Sequence, residues 1–435
     1  DEDKDEFLSI LRTGDVLDNQ KSRYAKTYRF FQDKIAEFLN EYASYFAYLP
    51  TRILNNCILL PIEAESQDTA LRIFSTLNDR GKPLSDTDIF KAQFYKYYSE
   101  KGMKDGFMKR WKDLEVICDD IFPTPNGSSM DELLTRYMYY ERAKQGNKNT
   151  TTEALRKFYE RDKYVLLKND NTLDNLEKLA DFWKRVARQD DSFSERVLRR
   201  LFVLNYAPNG MWTYLVSVYF MKYGDENGVL DDDSFYGFLN RIIGFIWAYA
   251  LARPGVNALR SPAYPEMINI VNGIDVEFKD YRFEENAIRN MLNSFVFTNG
   301  RPITKSMLAW WAFEDNDQTL IKLETVLEIE HIYPKKRQEN EKALKEKDSL
   351  ESLGNKALLE KSVNIRASDY KFEDKKKYYR GFINDKGKEK ARTQIDELYK
   401  MADEKDDYTE ADIISRKKLI IDRFIDYLKK NSLIV

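Results

Sequence analysis

The fold class that the sequence predicts is mainly α, a helical multi-domain protein with one small strand-containing unit near the C-terminus. Three observations lead there. The chain has 435 residues, more than one core ordinarily organises when domains run to ~150 residues. Through most of its length apolar residues return every three or four positions, the period of an amphipathic helix and not the two-residue alternation of a half-buried strand. Charged residues make up 33% of the chain and hydrophobic residues 43%, a balance that sustains buried cores and argues against disorder.

The net charge of −3 gives no global attraction to nucleic acid, so any such binding needs a local basic face and is salt-sensitive. Cys57 and Cys118 form no CxxC pair, which indicates neither a disulfide framework nor a thiolate zinc site and makes a reducing cytoplasm the expected setting. The longest apolar run, residues 242–252, is 11 residues long and falls short of the ~20 that span a bilayer. A buried helix is expected there, with no membrane partner.

In chain order, residues 24–48 carry aromatic and aliphatic side chains at helical spacing. ILNNCILLPIEA, residues 53–64, reads as a strand closed by Pro61. A helical stretch from Asp68, the polar segment LNDRGKPLS and a second helix from about Ser85 follow, with Ser85 as N-cap and Asp86 and Asp88 in the first turn, favourable to the helix dipole. Residues 101–299 show only helical periodicity, interrupted near Pro123, Gly210 and Arg253 and without a fixed repeat. Turn residues cluster at 297–302, a helix is expected around Trp310, and a last one from about Ser415 to Lys430. The expected domains are residues 1–100, 101–300 and 301–435.

Chemistry concentrates at EIEHIYP, residues 328–334, which contains the only histidine of the chain, His331. A lone histidine is more often a satisfied structural residue than a catalyst. Its surroundings argue otherwise: Asn355 precedes the apolar ALL, and Asn364 lies nine residues further on. That order resembles the ββα-metal (HNH) nuclease core, in which an acidic residue and His end one strand, Asn opens the second, and a helix presents a third polar ligand. Here Asn364 stands where a second His is usual.

Phosphodiester hydrolysis needs a base to activate water and a cation to absorb the charge growing on the leaving oxygen. His331 suits the base, neutral near pH 7. Activity is then expected to fall as pH drops through about 6.5, somewhat higher if Glu330 stays ionised. Asn355 is expected to hold the imidazole, by an amide contact or by bracing its loop. Glu330 and Asn364 would give oxygens to one divalent ion, Mg²⁺ or Mn²⁺ in preference to Zn²⁺. The basic residues Lys335, Lys371, Lys375 and Lys376 are ordinarily solvated helix faces, and beside such a core they become candidate DNA phosphate contacts.

The same residues resemble the GmrD-type domain of the GmrSD family of modification-dependent (type IV) restriction endonucleases, with its pattern EH-I-x-P, LGN and N-x-x-x-S-x-x-x-F-x-x-K. The chain shows Glu330 to Pro334, then Leu353, Gly354 and Asn355, then Asn364, Ser368, Phe372 and Lys375. Upstream, Phe74, Asn78, Gly81, Leu84, Asp88 and Lys91 resemble the signature of the partner GmrS-type domain. NDRG also reads as an ordinary turn, with Gly81 supplying a positive φ and Pro83 rigidity.

The resemblance implies a metal-dependent endonuclease or nickase in phage defence, acting on modified foreign DNA, with an oligomer left open. In that family nucleotide hydrolysis is linked to a DGQQR sequence; none occurs in these 435 residues, so nucleotide is expected to act only through a region outside them. Two other readings stay open: a catalytically weak helical DNA-binding or regulatory protein, and an HNH effector directed at RNA.

Overall fold

The computed structural model describes residues 3–58, 69, 73, 85–122, 128–151, 153–253, 255, 258–346 and 348–435. Its contacts divide the chain into two units, Asp1–Thr76 and Leu77–Val435.

In the first unit the described residues form helices α1 (Lys4–Thr13), α2 (Arg23–Glu41) and α3 (Leu49–Asn56). Gly14 ends α1 at φ 69°, a left-handed conformation that favours glycine. Ser22 caps α2 by accepting from the Ala25 N–H, satisfying one of the helix's orphan donors. The strand expected at residues 53–64 is corrected in part: residues 53–56 close α3, and residues 59–64 lie outside the described residues. The physical reason is Pro50 in the first turn of α3, where its fixed φ suits a helix; a short apolar run does not by itself distinguish strand from helix.

The second unit is mainly helical. Helix α4 (Asp86–Glu100) begins where expected, with Ser85 accepting from the Asp88 N–H. Next come α5 (Lys104–Ile121), α6 (Ser129–Lys144), α7 (Asp170–Ala187), α8 (Glu195–Leu204), α9 (Met211–Tyr223) and α10 (Asp232–Ala252). Helix α10 contains the expected run at 242–252. It is long and apolar enough to cross a bilayer by composition alone, yet 72% of that window is buried inside the protein, and Trp247 is fully enclosed.

Helix α11 (Pro302–Glu314) holds Trp310, which packs edge-on against Phe424 with ring centroids 4.9 Å apart. Strand β1 (Leu327–His331) pairs antiparallel with β2 (Lys356–Glu360), placing Leu327 opposite Glu360 and His331 opposite Lys356. Helix α12 (Lys361–Ala367) follows β2 without a linker, and α13 (Phe372–Arg380), α14 (Asp396–Glu404) and α15 (Glu410–Lys430) complete the region. The turn-rich residues 297–302 belong to this unit: the Phe297 N–H donates to the Glu351 carbonyl at 3.1 Å.

Candidate functional site

The loop that opens β2 is held from below by the last helix. A Cβ on Gly354 would stand 1.9 Å from the Ile413 carbonyl oxygen, so the turn approaches α15 more closely than any side chain allows. Arg416 of α15, buried, donates to the carbonyls of Leu353 at 2.9 Å and Lys356 at 2.7 Å. Glu397 grips its guanidinium through two bonds of 2.7 Å, the bidentate geometry that makes an arginine a rigid strut. Tyr408 adds a hydroxyl bond to Gly354 O at 2.6 Å.

This turn fixes Asn355, which is fully buried. Its Oδ1 accepts from Tyr333 N at 2.7 Å, and its Nδ2 donates to Tyr333 O and Leu350 O, both at 3.0 Å. Of the two geometries the sequence leaves open for Asn355, the amide therefore adopts the second: it ties down the chain just after His331, and its hydrogen bonds go to backbone and not to the imidazole.

His331 ends β1 with its ring buried and its Nε2 without a hydrogen-bond partner. The nearest acid is Glu351, whose Oε1 lies 3.5 Å away. Burial, then the ammonium groups of Lys356, Lys335 and Lys375, push the imidazole down to about 4, with Glu351 opposing them. The expected pH limit near 6.5 is thus moved downward, by burial first and by the neighbouring ammonium groups second. The imidazole is neutral well below pH 6. Since the unfolded chain protonates first, stability is present above about pH 6.5 and is lost as pH falls toward 4. NMR titration of this only histidine is expected to give a midpoint near 4; a midpoint between about 6 and 7 would contradict the packing described.

Glu330, nearly fully buried, accepts at one oxygen from Lys375 Nζ at 2.7 Å and Tyr379 OH at 2.6 Å. Lys375 also donates to His331 O at 2.7 Å. Burial pushes the Glu330 carboxyl up, and Lys375 and Tyr379 draw it back down. Asn364 reaches Glu328, at 3.2 Å, and forms no hydrogen bond with Glu330. Among the described residues no group of three or more His, Cys, Asp or Glu side chains is arranged to hold a metal. A divalent ion at Glu330 would meet a buried ammonium already in contact with that carboxylate, so Glu330 and Asn364 as they stand do not fit one.

The basic residues also take specific partners. Lys375 is corrected as a phosphate contact: its side chain is 1% exposed and committed to Glu330. Lys335 pairs with Glu351, Lys371 with Glu341 and Lys376 with Asp406. Of the upstream motif, Phe74, Asn78, Gly81 and Leu84 lie outside the described residues. Asp88 joins the Ser85 cap at 2.6 Å, and Lys91 pairs with Glu115 at 3.0 Å.

Sequence reasoning missed Glu351, Lys356, Tyr379 and Arg416. Two of them carried a signal: Arg416 shares a helical stripe with Ile413 and Ile420, and Tyr379 one with Phe372, so both were due to be buried beside the site.

Compared with models of known families, residues 1–95 match the N-terminal domain of the GmrSD restriction endonuclease and residues 283–423 match the C-terminal domain of the GmrSD restriction endonucleases. A search of curated proteins finds no match. The C-terminal match encloses β1, β2, α12 and the whole His331 cluster, and the two matches together cover more than half of the sequence. The chain belongs to the GmrSD restriction endonuclease family.

Proposed function

We propose that the chain cuts the phosphodiester backbone of foreign DNA in phage defence, with an HNH-type core in which His331 is the general base. One observation carries this reading. A neutral, buried imidazole with an unpartnered nitrogen stands at the end of β1, in an antiparallel strand pair that leads directly into a helix. Neutrality makes it a proton acceptor at pH 7. Asn355 holds the following backbone in register, and the ammoniums of Lys335 and Lys356 supply positive charge where a phosphate would bring negative charge. Modified DNA as the preferred target belongs to the same proposal and rests on the family alone.

No step above runs through a metal. The expected need for Mg²⁺ or Mn²⁺ is read by incubating supercoiled plasmid with the protein, with either ion or with chelator. Nicked or linear product is the expected result; an intact plasmid under every condition would remove the nuclease reading. The hold of Lys375 on Glu330 favours a second reading, a DNA-binding protein with weak catalysis, which predicts retained DNA binding without product.

A further inference from the structure

Glu351 lies where three nitrogen groups converge. Its Oε1 is 3.2 Å from Lys335 Nζ and 3.5 Å from His331 Nε2, and its Oε2 accepts from Lys356 Nζ at 2.5 Å. Lys356 spends its other donors on Phe297 O and Asn299 Oδ1, so one N–H is left for the carboxylate. Side-chain exposure rises from 0% at Lys356 to 10% at His331, 22% at Glu351 and 48% at Lys335. The carboxylate therefore bridges a buried lysine and an exposed one, beside an imidazole nitrogen with no hydrogen-bond partner.

Two ammonium groups around two carboxylate oxygens are surroundings that suit a phosphate. Burial works against the charge on Glu351, yet Lys356 and Lys335 hold its carboxyl below the ordinary range, so it stays an anion. Its backbone is pinned through the Phe297 N–H, while its side chain reaches open solvent on the Lys335 side.

We propose that Glu351 is a resident anion that occupies the position in which a backbone phosphate of DNA is held, so that the folded site is closed by its own carboxylate. The inference rests on the reading of His331 as the cutting centre. DNA must then displace Glu351 before the imidazole meets a phosphate, and any event that draws this loop outward opens the site.

The test uses the full chain and its Glu351→Gln variant. The amide keeps an acceptor for Lys356, whose other N–H groups stay bonded to Phe297 O and Asn299 Oδ1, and removes the charge; far-UV circular dichroism establishes that the variant is folded. Binding of inorganic phosphate, and separately of a short DNA duplex without divalent ions, is followed through the ring signals of His331. With a like charge at ~4 Å removed, both affinities are expected to rise about tenfold or more. Lys335→Ala in the same background should abolish the gain, and Glu404→Gln, the same charge change at an exposed position outside the cluster, should give none. Equal or weaker binding by Glu351→Gln would overturn the proposal, as would a matching gain in Glu404→Gln. A gain for inorganic phosphate without one for the duplex would overturn the assignment to a DNA phosphate. Unchanged plasmid cutting by a His331→Ala variant counts against His331 as the cutting centre instead, a separate outcome because the affinities are measured without cutting.

Discussion

Replacing His331 with Ala is expected to lower plasmid nicking by ~10²–10⁴, the usual cost of losing a general base, while far-UV circular dichroism stays unchanged. The two halves of that expectation come from different atoms. The imidazole Nε2 makes no hydrogen bond to the frame, so truncation leaves no new buried donor or acceptor without a partner through that nitrogen. The backbone of the same residue is held independently, by strand pairing with Lys356 and by the Lys375 bond to its carbonyl. Chemistry and architecture are separable here, and a folded Ala variant that nicks at the parental rate would remove His331 from the mechanism.

Lys375→Met should damage the other half. Its ammonium and the Glu330 carboxylate are 1% and 4% exposed, and deleting one member of a buried pair leaves an uncompensated charge that costs about 3–5 kcal/mol. Denaturant unfolding should show that loss as a lower midpoint. Tyr379 softens it only slightly, because one hydroxyl bond does not neutralise a carboxylate. The Glu330→Gln, Lys375→Met double variant should recover a substantial part of the stability, since neither charge is then stranded. A loss below ~1 kcal/mol in the single variant would mean that water or a neighbour already screens Glu330.

Much of the helical framework was legible because it depends on local signals. Ser85 announced the start of α4, and residues 242–252 announced a buried helix by their unbroken apolarity. Short segments were less legible. Residues 53–56 read as strand because four apolar or amide residues fit either period, and the first-turn proline decided for helix.

Around His331 the limit was different in kind. Motif spacing picked out His331, Asn355, Glu330 and Asn364 but carried no account of which partners their side chains take. Glu330 faces Lys375, 45 residues away in sequence, and no spacing rule pairs residues across that distance. Lys375 illustrates the point: within KFEDKKKYYR it reads as one charge in a solvated run. Its helical stripe with Phe372 and Tyr379 sends it inward, while Lys371 remains on the surface.

The grip of Arg416 on the loop before β2 also has a consequence for biosynthesis. The residues it joins lie 63 and 60 positions apart, so at ~5–20 residues per second the loop emerges from the ribosome on the order of ten seconds before the helix that anchors it. Until then Asn355 lacks its support. A nascent or prematurely terminated chain that stops short of α15 is expected to lack the ordered turn at Gly354, and only a polypeptide translated through that helix acquires the arrangement around His331.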